Sequence, residues 1–406
     1  MDCRVARGAF VIGAMSLMVW TTSGCADSLP FERGSDNSLQ FVGQVQIDQN
    51  GDPVPGAGDQ VSPVDPAGDG KAVCPPVSIA VAGALEGADA ELGVDISNGI
   101  QLAVDKHNDA NAGCQVQLKT FDTEGDPQKA VDVAQQITED AFTIGLIGPA
   151  FSDEAQATGG VFDQAGMVAV TASATSVQLA ASGWRTFFRG LANDGVQGTA
   201  VANYMKNQLG NGRVCVVDNG TEYGLGLAQA VRETLGPTSD SECSMSVGRD
   251  AEDFSEPVAV INSRTPDSVF FAGYFAEAAP FLQQLRDGGV TAQFVSGDGT
   301  NDSEFIARAG DAAKGTVVSC SCGPPASEFA REYAEKFDAE PGMYSAGGYD
   351  LGTVLLRGID AGAITRPALL DFVRAYDGQG LERRYQWTDN GELTSTLIWI
   401  YEVEEK

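Results

Sequence analysis

Histidine is the residue that this chain has least of. There is one, His107, in a helical pattern far from any cysteine pair, and the chain has neither a G-x-S-x-G motif nor zinc-like C-x-x-C spacing. A Ser-His-Asp arrangement would have a single candidate base, and zinc sites need clustered ligands. Gly224 and Gly226 match part of a dinucleotide-binding fingerprint, but Gln229 stands where the third glycine is needed. The sequence therefore predicts no enzyme, no metal site and no cofactor.

Basic residues are also few. Lysine and arginine total 25 against 56 aspartates and glutamates, which gives a formal net charge of −31. The acidic residues are scattered rather than grouped in blocks, as expected of a solvated surface. Because phosphate binding needs basic patches, this charge argues against nucleic acid as a partner.

Long apolar runs are missing after the first 20 residues, so no transmembrane helix is predicted there. Arg4 and Arg7 precede the apolar stretch 8–20, which is too short to span a bilayer stably and is typical of a signal peptide. The sequence TSGC at 22–25 resembles a lipobox, with threonine in the place of the usual leucine. We expect residues 1–24 to be removed as a lipoprotein signal peptide and Cys25 to be lipidated. Ordinary secretion with Cys25 free is the alternative.

Large apolar side chains are scarce up to residue 73. Residues 25–73 are rich in Gly, Pro, Asp, Ser and Gln, which predicts a disordered acidic tether. The part that follows, 74–406, is long for a single hydrophobic core and suggests two lobes.

Cysteines are even in number beyond Cys3 and Cys25, as expected of bridges in an exported chain. Two of them, Cys74 and Cys114, lie just before neighbouring predicted strands. Two more, Cys215 and Cys243, lie in or at the start of a later pair of strands. A further two, separated by one residue, can only close a small strained ring or stay reduced. The expected pairs are Cys74 with Cys114 and Cys215 with Cys243, and the open case is Cys320 and Cys322.

Short apolar runs alternate with helical patterns in two series. The first has runs at 77–82, 116–121, 142–147 and 167–170, and the second has runs at 214–217, 268–272 and 293–297. Repeated βα units form right-handed parallel sheets. Two such series suggest two similar lobes with a cleft between them.

Small hydroxyl side chains follow two neighbouring strands of the first series. Ser152 begins a predicted helix, and Ser173 and Thr175 follow the next strand. Both loops open at the carboxyl edge of a parallel sheet, where ligands bind, and a helix N-terminus there favours an anion. The arrangement indicates a carboxylate cradle. The alternative is that these residues only cap helices.

Candidate partners for a cation lie in the second series. Asp298, between two glycines directly after a strand, could face a ligand ammonium group, although it could equally be a turn aspartate bonded to its own backbone. Tyr223 and Tyr274 also stand at strand-to-helix junctions, where aromatic residues often serve packing alone.

The order and spacing of these segments resemble the type I periplasmic binding proteins, and most closely the leucine/isoleucine/valine-binding group that feeds ABC importers. The resemblance runs from about Pro76 to the C-terminus. It is carried by residues 81–83, 125–127, 147–175, 223–226, 271–274, 297–299 and 347–350.

The resemblance implies an α/β fold of two Rossmann-like lobes with parallel central sheets, joined by a three-stranded hinge. The N-terminal ligand-binding lobe would hold 74–192 and 322–389. The C-terminal ligand-binding lobe would hold 193–321 and 390–406.

The resemblance also implies residue roles. Ser152 would bind the carboxylate of an α-amino acid, Ser173 would offer a backbone carbonyl to its ammonium, and Thr175 would touch both groups. Asp298 stands where the family has a glutamate for the ammonium. Tyr223 and Tyr274 match aromatic cleft residues.

The side-chain end of the pocket departs from the family pattern. Leu92 replaces a family tyrosine, and Phe151 occupies a cysteine position whose bridge partner is also absent. Trp184 and Tyr344 are expected to border the pocket, and Glu86, near its rim, could accept a cationic side chain.

These expectations together describe an exported protein, lipid-anchored to the cell membrane, on its periplasmic or outer face. It would be a monomeric binding protein that delivers an amino acid, branched-chain or otherwise apolar, to a membrane ABC permease. The alternative is a receptor subunit that senses an amino acid or small amide and signals to a membrane kinase or chemoreceptor.

Overall fold

The computed structural model describes residues 39–54, 62–87, 90–394 and 398–406. The expected signal peptide and Cys25 lie outside these residues. Within the described part, no helix has the length and apolarity that crossing a bilayer requires.

The regular elements are as follows. The strands are β1 (Leu39–Ile47), β2 (Pro53–Val54), β3 (Val77–Gly83), β4 (Val116–Asp122), β5 (Thr143–Ile147), β6 (Val168–Thr171), β7 (Phe187–Arg189), β8 (Val214–Asp218), β9 (Met245–Ser246), β10 (Ser268–Ala272), β11 (Gln293–Ser296), β12 (Val317–Cys320), β13 (Asp377–Gln379), β14 (Arg384–Gln386) and β15 (Ile398–Glu405). The α-helices are α1 (Ala90–Ala110), α2 (Pro127–Glu139), α3 (Ser152–Ala165), α4 (Val177–Ala181), α5 (Asp194–Asn207), α6 (Glu222–Leu235), α7 (Ser255–Arg264), α8 (Phe275–Asp287), α9 (Ser303–Ala309), α10 (Ser327–Phe337), α11 (Ser345–Asp360) and α12 (Arg366–Ala375). Short 3₁₀ turns span Gly236–Thr238, Asp298–Thr300 and Gly310–Ala313.

The first lobe is built on a parallel sheet of order β4-β3-β5-β6-β7. Strands β3 and β5 are buried along their whole length, because helices cover both faces. Ile79 and Val81 of β3 pack on the side of α1 and α11, and the alternate residues Ala80 and Ala82 pack on the side of α2 and α3. The continuous apolar strands predicted for a doubly covered sheet are confirmed.

The second lobe contains the larger sheet, of order β2-β1-β15-β12-β11-β10-β8-β9. Strands β8, β10, β11 and β12 are parallel, and β15 joins β12 antiparallel. Phe270 faces α5 and α6, whereas its neighbour Phe271 faces the phenylalanine cluster of α8 and α9. The expected α/β architecture of two lobes is therefore confirmed.

The prediction of a disordered tether was wrong for residues 39–54 and 62–73, here called the N-terminal strap. Strand β1 pairs antiparallel with β15, from Leu39 opposite Glu405 to Ile47 opposite Ile398. Farther along, the Val64 N–H donates to the Gln379 carbonyl at 2.8 Å, on the first lobe. Composition averaged over 25–73 hides the alternating pattern LQFVGQVQI of β1, whose partner strand lies some 350 residues away in sequence.

The chain passes from one lobe to the other after β2, after β7, after β12 and after β14. Helices α10, α11 and α12 pack on the first lobe, because their apolar residues join the core of the smaller sheet. These crossings bring the carboxyl ends of both sets of parallel strands to one cleft.

Three disulfides are present in the structure. Cys74 is bonded to Cys114 with Cα atoms 4.6 Å apart, and Cys215 to Cys243 at 5.2 Å, which are the two expected pairs. Each pair ties the starts of neighbouring strands. Cys320 and Cys322 are also bonded, at the crossing after β12, so the structure adopts the small ring rather than free thiols.

Candidate functional site

A cavity lies between the two lobes, with about 490 Å³ of empty space when its opening to solvent is included. Its walls are the loops that follow β5 and β6 on one side and β8, β10 and β11 on the other, together with the starts of α1 and α11. We call it the inner cavity. It is lined by Leu92, Ala150, Phe151, Ser152, Ser173, Tyr223, Tyr274, Phe275, Asp298, Gly299, Asp302, Met343 and Tyr344.

Ser152 is the first residue of α3 and is almost wholly buried. Its Oγ accepts hydrogen bonds from the backbone N–H groups of Thr175 and Ser176, each at 3.2 Å. These two bonds bind the loop after β6 to the start of α3. Since Ser152 accepts at both contacts, its hydroxyl proton is left for donation into the cavity beside the positive end of the helix.

Ser173 and Thr175 occupy different positions relative to the cavity. Ser173 lines it, although its Oγ donates to the Ala150 carbonyl at 2.6 Å. Thr175 is buried behind Ser152 and does not line the cavity. The two residues therefore shape the loop, and Ser152 is the hydroxyl that reaches the cavity with a proton to donate.

Asp298 stands at the opposite wall, directly after β11. Its Oδ1 accepts from Gln197 Nε2 at 2.7 Å and from the Tyr223 hydroxyl at 2.9 Å, and its Oδ2 accepts from the Tyr344 hydroxyl. Burial raises the pKa of Asp298, and these three donors, led by Tyr344, act against that rise. The carboxylate is thus held in one orientation towards the cavity.

Asp194, at the start of α5, lies below Asp298 and is fully buried. Burial first, and then the negative charge of Asp298, raise the pKa of Asp194 well above its ordinary value. Two carboxyl groups in one buried region favour a proton or a cation near them. Sequence reasoning missed Asp194, because at the start of a helix it reads as an ordinary first-turn acid.

Aromatic rings from both lobes close the side of the inner cavity. Phe151 of the first lobe meets Tyr274 of the second edge-on, with ring centroids 5.2 Å apart, and Tyr274 stacks on Tyr223 at 5.2 Å. Arg249 lies over both Phe151 and Tyr274, with its guanidinium 5.7 and 5.6 Å from their ring centroids. Sequence reasoning missed Arg249, since it stands in an irregular loop.

One sequence expectation about the rim was wrong. Trp184 packs against Gly159 and, at 6.4 Å between ring centroids, Phe187, in a small core away from the cavity. Glu86 is exposed and is not a lining residue of the cavity, so its role at the rim stays a prediction. Sequence reasoning also missed five lining residues, which are Ala150, Phe275, Gly299, Asp302 and Met343.

The single histidine has a structural role. His107 is buried, and its Nε2 lies 2.8 Å from Asp360 Oδ1. Among the described residues, the one cluster with the spacing of a metal site is His107, Cys114 and Asp360. The sulfur of Cys114 is bonded to Cys74 in a disulfide, and the cluster lies away from the inner cavity.

Comparisons with known proteins bear on this geometry. The family model described as periplasmic binding protein matches residues 76–406. An amino acid binding protein of Pseudomonas aeruginosa is 28% identical over 339 residues, which cover 81% of this chain and 91% of that protein. The Leu/Ile/Val-binding protein BraC3 of Rhizobium johnstonii is 28% identical over 337 residues, covering 81% and 92%.

Solved structures are similar in fold. The leucine binding protein LivK of Thermotoga maritima is 25% identical with a TM-score of 0.73, and the match covers 81% of this chain and 97% of that one. The branched-chain amino acid transporter substrate binding protein LivJ of Streptococcus pneumoniae, solved with isoleucine, is 22% identical with a TM-score of 0.75, covering 82% and 100%.

Proposed function

Because this chain belongs to the periplasmic binding protein family, we propose that it is the extracytoplasmic substrate-binding protein of an ABC importer and that it binds an α-amino acid between its lobes. Relatives that match over most of their length carry names of amino-acid-binding proteins, which supports this assignment. The proposed activity is reversible binding, without covalent chemistry.

One observation carries the proposal. Ser152 at the N-terminus of α3 and the buried carboxylate of Asp298 line the same cavity from opposite lobes. A hydroxyl at a helix N-terminus suits a carboxylate, and an aspartate with fixed orientation suits an ammonium group. A zwitterion can therefore bridge the two lobes. Thr175 would act behind Ser152, since its N–H holds the Ser152 hydroxyl in place.

Binding would couple to closure of the cleft. Contacts that join the lobes, such as the hydrogen bond of Ser176 Oγ to Glu222 Oε1 at 2.9 Å, lie beside the site. A ligand that touches both lobes stabilises the closed arrangement relative to an open one. A permease would then recognise the closed form.

The wall around the ligand side chain is apolar. Leu92, Phe151, Phe275 and Met343 line this end of the cavity. Such a wall favours a ligand whose side chain is apolar next to the α-carbon, as it is in the leucine, isoleucine and valine named for a relative. The proposal also includes removal of the signal peptide, lipidation of Cys25 and attachment to the membrane. We further propose that the protein is a monomer.

Calorimetric titration of the full chain with each proteinogenic amino acid tests the proposal. At least one should bind with micromolar affinity, which corresponds to about −8 kcal/mol. The N-acetylated and the amidated forms of that amino acid are matched controls, because each removes one charge of the zwitterion. Absence of binding by every amino acid, or equal binding by the blocked forms, would contradict the proposed site.

A further inference from the structure

A second cavity opens from the side-chain end of the inner cavity. The two share Leu92, Asp302 and Met343 as walls, and the second, which we call the outer cavity, has about 1070 Å³ of empty space with its opening to solvent included. Phe41 and Gly43 of the N-terminal strap form part of its wall, outside the residues that the family model matches.

The outer cavity is lined by acidic side chains from both lobes. Glu91 and Asp95 come from α1 of the first lobe, and Asp302 comes from the second lobe. Glu340 and Glu382 also line it. No lysine, arginine or histidine is among its described lining residues, and within the described part of the chain neither Glu91, Asp95, Asp302 nor Glu340 forms an ion pair.

These carboxyl groups lie in an environment that disfavours their charge. Burial, and next the charge of Glu91, raise the pKa of Asp302 to about 7. Burial raises the pKa of Asp95 to about 7 as well, against the hydrogen bond from the Tyr333 hydroxyl. Carboxyl groups of the two lobes thus lie together, with no cation among the described residues that line the outer cavity to compensate them.

Glu382 gives an independent sign of a missing partner. Its side chain is 4% exposed, and its Oε2 is bonded to Arg383 Nη2 at 2.7 Å. Its Oε1 is buried and has no hydrogen-bond partner within the described part of the chain. A buried carboxylate oxygen without a donor is costly, so a donor group in this cavity would be favoured.

A metal ion does not fit this arrangement. The carboxylate oxygens of the outer cavity do not converge as the atoms of a metal site do, since the described residues contain one such cluster and it lies elsewhere. Separated acceptors suit an organic cation, which carries several N–H donors on one head group.

We propose that the outer cavity is a subsite for a cationic group at the end of the ligand side chain, so that the preferred ligands are α-amino acids with an apolar stem and a terminal ammonium or guanidinium. This inference rests on the proposed function, because it needs the amino acid to be held in the inner cavity. The stem lies along Leu92 and Met343, and the cation meets Asp302 and Glu91 where the two cavities join.

Titration of the full chain with lysine and norleucine tests the subsite, since the two differ by the terminal ammonium. Near pH 8 we expect lysine to bind at least about tenfold more tightly, the typical value of a charge-assisted hydrogen bond. Ornithine and arginine extend the series in stem length and head group.

Two variants and a control locate the effect. Asp302→Asn keeps an acceptor for the Glu304 N–H at the start of α9, now bonded at 2.8 Å, and Glu91→Gln keeps the size of that side chain. Each should weaken lysine about tenfold relative to norleucine. Glu91→Gln alone should leave the norleucine affinity unchanged, because Glu91 lines the outer cavity and not the inner one, whereas Asp302 lines both. Asp253→Asn is the matched control, because Asp253 is an exposed acid bonded to Ser255 N and lines neither cavity.

The pH dependence should differ in sign between the two ligands. Between about pH 8 and pH 6, protonation of Asp302 and Asp95, whose pKa values are raised to about 7, relieves their repulsion with each other and with the other carboxyl groups of the cavity. The other groups that face them are the Tyr333 hydroxyl, which donates to Asp95 from α10, and Arg383, which is paired with Glu382. Norleucine should therefore bind more tightly as the pH falls. Lysine should bind less tightly, because it needs charged carboxylates.

The outcomes separate the two proposals. Equal affinity for lysine and norleucine, or unchanged lysine affinity in both variants that still bind norleucine, overturns the subsite and leaves amino-acid binding intact. Binding of norleucine by each variant also reports that the cleft is folded. Failure of every amino acid to bind overturns the proposed function and this inference with it.

Discussion

The Tyr344 hydroxyl, at the start of α11 in the first lobe, donates a hydrogen bond across the cleft to Asp298 Oδ2 in the second lobe. It occupies a position that a ligand ammonium group would take beside the same oxygen. Since the two residues belong to different lobes, opening of the cleft must break this bond. The bond thus links the state of the site to the separation of the lobes.

Replacement of Tyr344 by Phe should shift the unliganded protein towards an open cleft, because it removes a donor that joins the lobes and keeps the ring. Small-angle scattering of the unliganded variant should give a larger radius of gyration than the parent protein, and a saturating amino acid should restore the parent value. Tyr204→Phe is the control, since Tyr204 is a partly buried residue of α5 that packs against the core of the second lobe and lines neither cavity. An unchanged radius for unliganded Tyr344→Phe would contradict the role given to this bond.

Asp298→Asn should weaken amino-acid binding about 30-fold or more, the usual cost of removing one charge from a buried pair. The amide keeps one acceptor oxygen for the Gln197 and Tyr223 donors, so the fold should persist. Calorimetry gives the affinity, and the thermal midpoint checks folding. Asp253→Asn serves again as the control. An affinity of Asp298→Asn equal to that of the parent protein would mean that Asp298 does not bind the ammonium group.

Ser152→Ala should weaken both binding and stability. The methyl group cannot accept from the Thr175 and Ser176 N–H groups, and a buried N–H without a partner costs about 1–3 kcal/mol. Urea unfolding measures the loss of stability, and calorimetry measures the loss of affinity. Ser182→Ala is the control, because its Oγ donates to the Gln178 carbonyl at an exposed position. A loss of stability without any loss of affinity would mean that Ser152 only holds the loop after β6 in place and does not bind the ligand.

Local signals in the sequence predict the βα framework and mark Ser152 and Asp298 as candidates at strand ends. Other lining residues, which are Leu92, Phe151 and Tyr344, were expected only through the family resemblance. Apolar runs covered on both faces define the strands, and strand ends place Ser152 and Asp298 at the edge where the lobes meet. The position of Thr175 behind Ser152 was not predictable, since it depends on hydrogen bonds that join two loops. Asp302 was missed for a similar reason, because its environment is formed by a helix some 210 residues earlier in the chain.

The free energy of unfolding should fall as the pH rises, in part through Asp350. Burial raises the pKa of this carboxyl to about 7 from 3.8, although it accepts bonds from Leu381 N and the Tyr385 hydroxyl. An acid whose pKa is higher in the folded state stabilises that state only while protonated, so stability is lost between about pH 4 and pH 7. The pKa difference corresponds to at most about 4 kcal/mol.

Urea unfolding at about pH 5 and pH 8 measures this dependence. Asp350→Asn should reduce the difference between the two values, because the amide does not titrate. Asp377→Asn is the control, since hydrogen bonding to Arg384 lowers the pKa of that exposed residue below the range examined. A difference as large in Asp350→Asn as in the parent protein would assign the dependence to other groups.

Phe41→Ala should destabilise the second lobe through the N-terminal strap. Phe41 of β1 is half-buried and packs on Phe305, with ring centroids 6.1 Å apart. Truncation should lower the free energy of unfolding by about 2 kcal/mol, roughly half the cost at a fully buried phenylalanine. Phe142→Ala is the matched control, because Phe142 is 62% exposed and should change stability by less than about 0.5 kcal/mol. Equal urea midpoints for both variants would mean that Phe41 adds nothing to the stability of the sheet, although eight residues of β1 pair with β15.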